Sequence, residues 1–168
     1  MKNIYLTGFM GCGKSHTGRR LAALLGLPFL DLDEAIESAA GKPIRAIFAD
    51  AGENVFRELE TAALRQTAAL PPTVVSTGGG APCFNANMDW MNRHGTTVFL
   101  DPPLSVLLRR LESGRAHRPL LRSADELEAF VTAKLAARRS DYEQARIQLS
   151  LADPEAEVER VLSGFLWE

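Results

Sequence analysis

The sequence predicts an α/β fold, a parallel sheet covered by helices on both faces, and three observations carry that expectation. Short β-prone runs alternate with segments whose apolar residues recur at helical spacing. Glycines and prolines fall at the joints between them. An eight-residue glycine-rich pattern sits directly between the first strand and the first helix. Taken in order, residues 2–7 (KNIYLT) form a first strand that Gly8 ends. Residues 14–25 carry Leu21, Leu24 and Leu25 on a helix, and Gly26 stands at its C-cap. A second strand is expected over 28–32 (PFLDL), then short helices over 33–40 and 43–50 separated by Gly41, and a longer helix over 53–69. Pro71 and Pro72 precede a third strand, 73–77, which runs into Gly78-Gly79-Gly80. A helix over 86–94 leads to a fourth strand, 96–100. Helix 103–111, a polar segment 112–123, helix 124–141, a fifth strand near 146–151 and a last helix over 155–166 complete the chain. Alternating strands and helices of this kind give parallel sheets, and such sheets bind ligands beyond the carboxyl ends of their strands.

The 168 residues, 46% apolar and 24% charged, fit one domain, 1–168, with a real core. The formal net charge of −2 points to neither nucleic acid nor an anionic membrane as a partner, so anion binding has to come from local positive sites. Cys12 and Cys83 make no disulfide framework, and a reducing, cytoplasmic setting is expected. The apolar run after Lys2 is broken by Gly8, Gly11 and Gly13 and is too short and polar for a signal peptide. No stretch approaches the roughly 20 apolar residues that span a bilayer.

Residues 8–15 read Gly8-Phe9-Met10-Gly11-Cys12-Gly13-Lys14-Ser15, the G-x-x-x-x-G-K-S phosphate loop, in its strand-to-helix setting. Glycines let backbone N–H groups turn inward around phosphate oxygens, and the helix N-terminus adds partial positive charge. Gly11, Cys12, Gly13 and His16 belong to this nucleotide site. Lys14 is expected to reach the β- and γ-phosphates, and the Ser15 hydroxyl to ligate Mg²⁺. The bland alternative is a glycine-rich turn that only caps a helix. The motif specifies a nucleoside triphosphate and Mg²⁺, not the reaction.

Four further segments narrow the expectation: Asp31-Leu32-Asp33; Gly52-Glu53-x-x-Phe56-Arg57-x-x-Glu60; Gly78-Gly79-Gly80; and Arg118-Pro119-Leu120-Leu121 followed by Arg138-x-x-x-Tyr142. With the phosphate loop, this ordered set resembles the shikimate kinase family over nearly the whole chain. The resemblance implies a three-layer, nucleoside-monophosphate-kinase-like P-loop fold with a five-stranded parallel sheet and a mobile lid. It implies transfer of the ATP γ-phosphoryl group to the 3-hydroxyl of shikimate, a step toward chorismate and the aromatic amino acids, by a monomeric enzyme.

The resemblance also implies residue roles. Arg57 and Arg138 match the arginines that bind the substrate carboxylate, for which a planar guanidinium fork is suited. Asp33 matches the residue that holds the substrate hydroxyls and serves as base, and Asp31 the position linked to the metal. Gly79 and Gly80 match backbone that contacts substrate and γ-phosphate. Arg118, in a lid over about 112–123, matches the arginine on the transferring phosphoryl group, and Pro154 falls near the adenine loop. Phe48 and Phe56 match apolar walls, and Arg110 is a candidate on the adenine side. Structural alternatives stand beside these roles. Arg57 could simply pair with Glu60 along a helix. Arg138, next to Arg139, could lie on a solvated helix face. Asp33 could N-cap the helix near Glu34, and the glycines could form a plain turn. On a regular strand Asp31 and Asp33 would share a face. A helix N-terminus can depress a thiol pKa, so one hypothesis is that oxidation or alkylation of Cys12 blocks ATP binding, for which protection of activity by ATP during thiol modification is the test. His16 follows Ser15 where family members often carry Thr and is given no catalytic role; Trp90 is expected to pack. The competing functions are another small-acid kinase such as a gluconate kinase, a nucleoside-monophosphate kinase, and a nucleotide-dependent binding module.

Overall fold

The computed structural model describes residues 2–113 and 123–150. Their order is β1 (Asn3–Thr7), α1 (Lys14–Leu25), β2 (Phe29–Asp31), α2 (Leu32–Ala40), α3 (Ile44–Gln66), β3 (Val74–Ser76), α4 (Asn87–His94), β4 (Gly95–Leu100), α5 (Leu104–Ser113), α6 (Ala124–Tyr142) and β5 (Ile147–Leu149). The five strands form one sheet in the order β2-β3-β1-β4-β5, and every neighbouring pair is parallel. Tyr5 on the central strand pairs with Val75 on one side and Thr97 on the other. Successive strands move outward from β1 first toward β2 and β3, then toward β4 and β5. The carboxyl end of β1 is therefore the point where the winding changes side, which is where an open α/β sheet leaves a crevice for a ligand.

The core lies on this central strip. All five residues of β1 are buried, as are Val74 and Val75 of β3 and Val98, Phe99 and Leu100 of β4. Each large apolar side chain so buried contributes about 1.5–3 kcal/mol. Helix α1 lies close on the sheet because residue 18 is glycine: a Cβ there would fall 2.6 Å from the Phe29 ring and 3.0 Å from Leu6. At the amino ends of the strands a buried polar set locks β1 to the segment before β3. Asn3 Nδ2 donates to the Thr67 carbonyl at 2.8 Å, Asn3 Oδ1 accepts from the Thr73 N–H at 3.0 Å, and the Tyr5 and Thr67 hydroxyls pair at 2.9 Å.

The helix ends follow from local chemistry. Gly26 takes the left-handed conformation that closes α1. Ser123 and Glu126 form a reciprocal capping box on α6. The second strand is shorter than its sequence suggests, because the Asp31 carboxylate accepts the N–H groups of Asp33 and Glu34 and starts α2 at Leu32. Asp33 is therefore helical. It neither caps the helix nor shares a strand face with Asp31. In α3, Gly52 (φ 82°, ψ 173°) breaks the helix into the two pieces expected from the sequence. Helix α5 continues through Glu112 and Ser113, and Ser123 caps α6, so both ends of the expected lid belong to helices. The rest of that segment, with Arg118, lies outside the described residues, as do Pro154 and the expected final helix. Among the described residues, no helix is long and apolar enough to cross a membrane.

Candidate active site

The loop after β1 is built for an anion. Gly8, Gly11 and Gly13 all have positive φ, and a Cβ on Gly8 would fall 2.6 Å from the Leu100 carbonyl oxygen. No side chain caps the start of α1. Its first-turn N–H groups are left to a ligand. Lys14 Nζ bridges the loop, donating to the carbonyls of Gly8 at 2.8 Å and Phe9 at 3.0 Å. Arg110 braces it from α5 through the Cys12 carbonyl at 2.9 Å. The Cys12 side chain is fully buried beside Gly8, which counts against ready attack on this thiol by reagents. Burial, and then the neighbouring Asp141, push the Cys83 thiol up to about 12.

Around this loop a cavity of about 350 Å³ gathers three elements. The loop and α1 supply Met10, Gly11, Gly13, Lys14, Ser15 and His16; the β2–α2 junction supplies Asp31 and Asp33; the end of β3 supplies Ser76, Thr77 and Gly79. The Ser15 hydroxyl donates to Asp31 Oδ2 at 2.6 Å and lies 3.3 Å from the Ser76 hydroxyl. Three hard oxygen donors thus meet at the loop, a set suited to Mg²⁺. Among the described residues no group of three or more His, Cys, Asp or Glu side chains could hold a metal alone. Ser76 has no sequence signal of its own. Its place beside Ser15 depends on β3 lying next to β1, which one chain's pattern does not reveal.

Asp33 Oδ1 is buried without a hydrogen-bond partner. Burial first, then the charge of Asp31, hold the Asp33 carboxyl above its ordinary range, against the pull of Lys14. A Cβ on Gly78 would fall 3.0 Å from that oxygen and 2.5 Å from Glu60 Oε1. Arg57 donates to Glu60 at 2.7 Å and to Glu53 at 3.2 and 3.1 Å, and its guanidinium lies 4.2 Å from the centre of the Phe84 ring. The pairing of Arg57 with Glu60 is therefore present, and it does not carry the arginine away from the site: a Cβ on Gly80 would fall 2.6 Å from Arg57 Nη2. Burial dominates at Glu60, 1% exposed, and raises its pKa despite the Arg57 hydrogen bond. From α6, Arg138 Nη1 donates to the Gly79 carbonyl at 3.4 Å, and the Tyr142 hydroxyl donates to the same oxygen. Arg139 is the structural member of its pair, bound to both oxygens of Asp101 at 2.9 and 3.1 Å. Arg57 and Arg138 thus reach the triple glycine from α3 and α6. Phe56 is buried, and Phe48 packs on it at 4.6 Å between ring centres. His16 is exposed. Trp90 packs against Tyr5, His94 and Arg65.

The comparisons with known proteins agree in one direction. The family model for shikimate kinase matches residues 10–165. A shikimate kinase of Parabacteroides distasonis is 46% identical over 149 residues, 88% of this chain and 86% of that protein. The crystal structure of shikimate kinase from Bacteroides thetaiotaomicron superposes with a TM-score of 0.92 at 41% identity, covering 98% of both chains. Shikimate kinase from Acinetobacter baumannii in complex with shikimate superposes at 0.88 with 34% identity, covering 99% of this chain and 93% of that one. Fold, loop and family model coincide over nearly the full length, and the chain belongs to the shikimate kinase family.

Proposed function

We propose that the protein transfers the γ-phosphoryl group of ATP to the 3-hydroxyl of shikimate, giving shikimate 3-phosphate and ADP. The observation that carries this reading is the convergence at one cavity of a phosphate loop, an unpartnered Asp33 oxygen and a triple glycine reached by two arginines. The N–H groups of Gly11, Cys12, Gly13 and His16 cradle phosphate oxygens, and Lys14 exchanges the Gly8 and Phe9 carbonyls for the β- and γ-phosphates. Ser15 and Asp31 hold Mg²⁺, with Ser76 beside them. The ion, when bound, neutralises charge on the phosphates.

On the acceptor side, Arg57 and Arg138 pair with the shikimate carboxylate and turn the ring's hydroxyls toward Asp33. Gly79 and Gly80 bring bare backbone against the ring. The free oxygen of Asp33 accepts the hydroxyl's hydrogen bond, and then its proton as the phosphoryl group transfers. Its raised pKa suits proton acceptance better than an ordinary carboxylate would. Lys14 stabilises the charge left on ADP. In the same proposal Arg118 stabilises the transferring phosphoryl group and Pro154 borders the adenine; both lie outside the described residues. Positioning and charge neutralisation supply most of the catalysis in such a transfer.

The test is ADP formation from ATP and Mg²⁺ with and without shikimate, in the wild type and in Asp33→Asn. Shikimate-dependent turnover that falls roughly 10²-fold or more in the variant is expected. Turnover with gluconate but not shikimate, in protein that binds ATP, would reject the assignment.

A further inference from the structure

Helix α6 sends two donors to one acceptor. Arg138 and Tyr142 lie four residues apart on one helix face, and both donate to the carbonyl of Gly79. The two bonds differ in kind. The Tyr142 ring is fully buried and stacked on Phe99 at 5.1 Å between ring centres, and its hydroxyl donates to the carbonyl. Burial holds that hydroxyl protonated, against the pull of Arg138 beside it. Arg138 bonds at 3.4 Å, the long end for such a contact, and lies 5.9 Å from the Phe9 ring, the outer edge of a cation–π contact. Next to Arg138 on the helix, Arg139 is tied to both oxygens of Asp101. A loosely held arginine thus sits next to a firmly held phenol, on a carbonyl that matters. Gly79 lines the cavity with Lys14 and Asp33, and its Cα packs against the phosphate loop, where a Cβ would fall 3.2 Å from the Met10 nitrogen.

We propose that Tyr142 is a positioning residue: it keeps the Gly79 carbonyl hydrogen-bonded, so that Arg138 is free to leave that carbonyl for the carboxylate of the acceptor. The inference rests on the reading of Arg138 as a carboxylate ligand. The Gly79 carbonyl is part-buried and faces the cavity; left without a protein donor under a bound acceptor it would be costly, whereas a carbonyl that keeps a donor gives up a second, long bond cheaply. With Tyr142 in place, Arg138 moves at small cost. Without the hydroxyl, Arg138 becomes the sole donor, and each binding event strands the carbonyl. The loss falls on the acceptor and not on ATP, because only the acceptor recruits Arg138.

The experiment is steady-state kinetics with ATP and shikimate on the wild type, Tyr142→Phe, Arg138→Met and the double variant, with melting temperatures. Phenylalanine keeps the ring on Phe99. Tyr142→Phe is expected to raise the shikimate KM roughly tenfold while the ATP KM moves less than about twofold. The double variant is expected to be no worse than Arg138→Met alone, because the phenol acts through the arginine. An unchanged shikimate KM in Tyr142→Phe, equal effects on both substrates, or additive effects in the double variant overturns the inference. If Arg138→Met raises the shikimate KM and Tyr142→Phe does not, only the role of Tyr142 falls. If Arg138→Met has no effect, the carboxylate reading of Arg138 falls and takes this inference with it. The ¹³C resonance of the Gly79 carbonyl in wild-type protein needs no variant: it shifts upfield as shikimate draws one donor away, and a resonance that stays put overturns the proposal.

Discussion

Arg57 is held on three sides before any ligand arrives. Glu60 and Glu53 take its N–H groups, the Phe84 ring covers one face, and the Cα of Gly80 lies against its end. A long, flexible side chain is thereby fixed in advance, which lowers the entropy lost on binding a carboxylate. Gly80 has an ordinary backbone conformation, φ −95°, so alanine there strains nothing locally. The three atoms nearest its methyl group would all belong to the Arg57 guanidinium, at 2.6 to 2.9 Å. Relieving that contact by shifting the guanidinium strains its bonds to Glu60 or its packing on Phe84. Gly80→Ala is therefore expected to raise the shikimate KM about tenfold or more while the ATP KM stays within about twofold, and steady-state kinetics in both substrates measures it. A variant with an unchanged shikimate KM would show that the position of Arg57 does not matter to the acceptor.

At the scale of elements, the sequence was legible wherever one residue type forces a boundary, as Gly26 ends α1 and Gly52 breaks α3. It misled at the end of β2, where the apolar pattern carries on but the Asp31 carboxylate captures two N–H groups and begins a helix. The two aspartates still meet in one cavity, by a helix cap in place of a strand face. Ser76 stayed hidden because its role depends on strand order, and Tyr142, quoted only as part of a motif, because its partner is a backbone atom 63 residues away. Helix α6 carries Arg138, Arg139 and Tyr142 near its C-terminal end and its capping box at the other. The Ser123 hydroxyl accepts the Glu126 N–H at 3.1 Å. Ser123→Ala is expected to cost about 1 kcal/mol of stability. Its shikimate KM should change little, since Asp101 and Gly79 pin the far end of the helix. A thermal melt and a KM determination test the two halves of that statement, and a large KM change would show that order propagates along the helix.

At the scale of the whole molecule, making this site brings charge into the interior. Sheet order places the loop after β1 between α2, the end of β3 and α6, and the price is charge brought into the interior: Glu60 is 1% exposed, and one of its oxygens has no hydrogen-bond partner among the described residues. Its pKa is raised above the ordinary 4.5, burial outweighing the Arg57 hydrogen bond. The sign then follows from proton linkage. A carboxyl with a raised folded pKa binds more protons in the folded than in the unfolded chain between the two values. Its favourable contribution is complete below about 4.5 and is lost as pH rises through the folded value. Glu60→Gln keeps the shape and one acceptor for Arg57 but removes the buried charge. The melting temperature of Glu60→Gln relative to wild type is therefore expected to rise as pH goes from about 4.5 toward 8. Above the folded value, where wild-type Glu60 is ionised, the variant's shikimate KM should stand above that of wild type, because a neutral amide holds Arg57 less firmly than a carboxylate. Paired melts and kinetics across pH measure both. A melting difference that is flat with pH would show that the Arg57 pair fully offsets the burial of Glu60. A difference of the expected slope, with a weakened acceptor site, identifies Glu60 as a residue kept for binding at the expense of the fold.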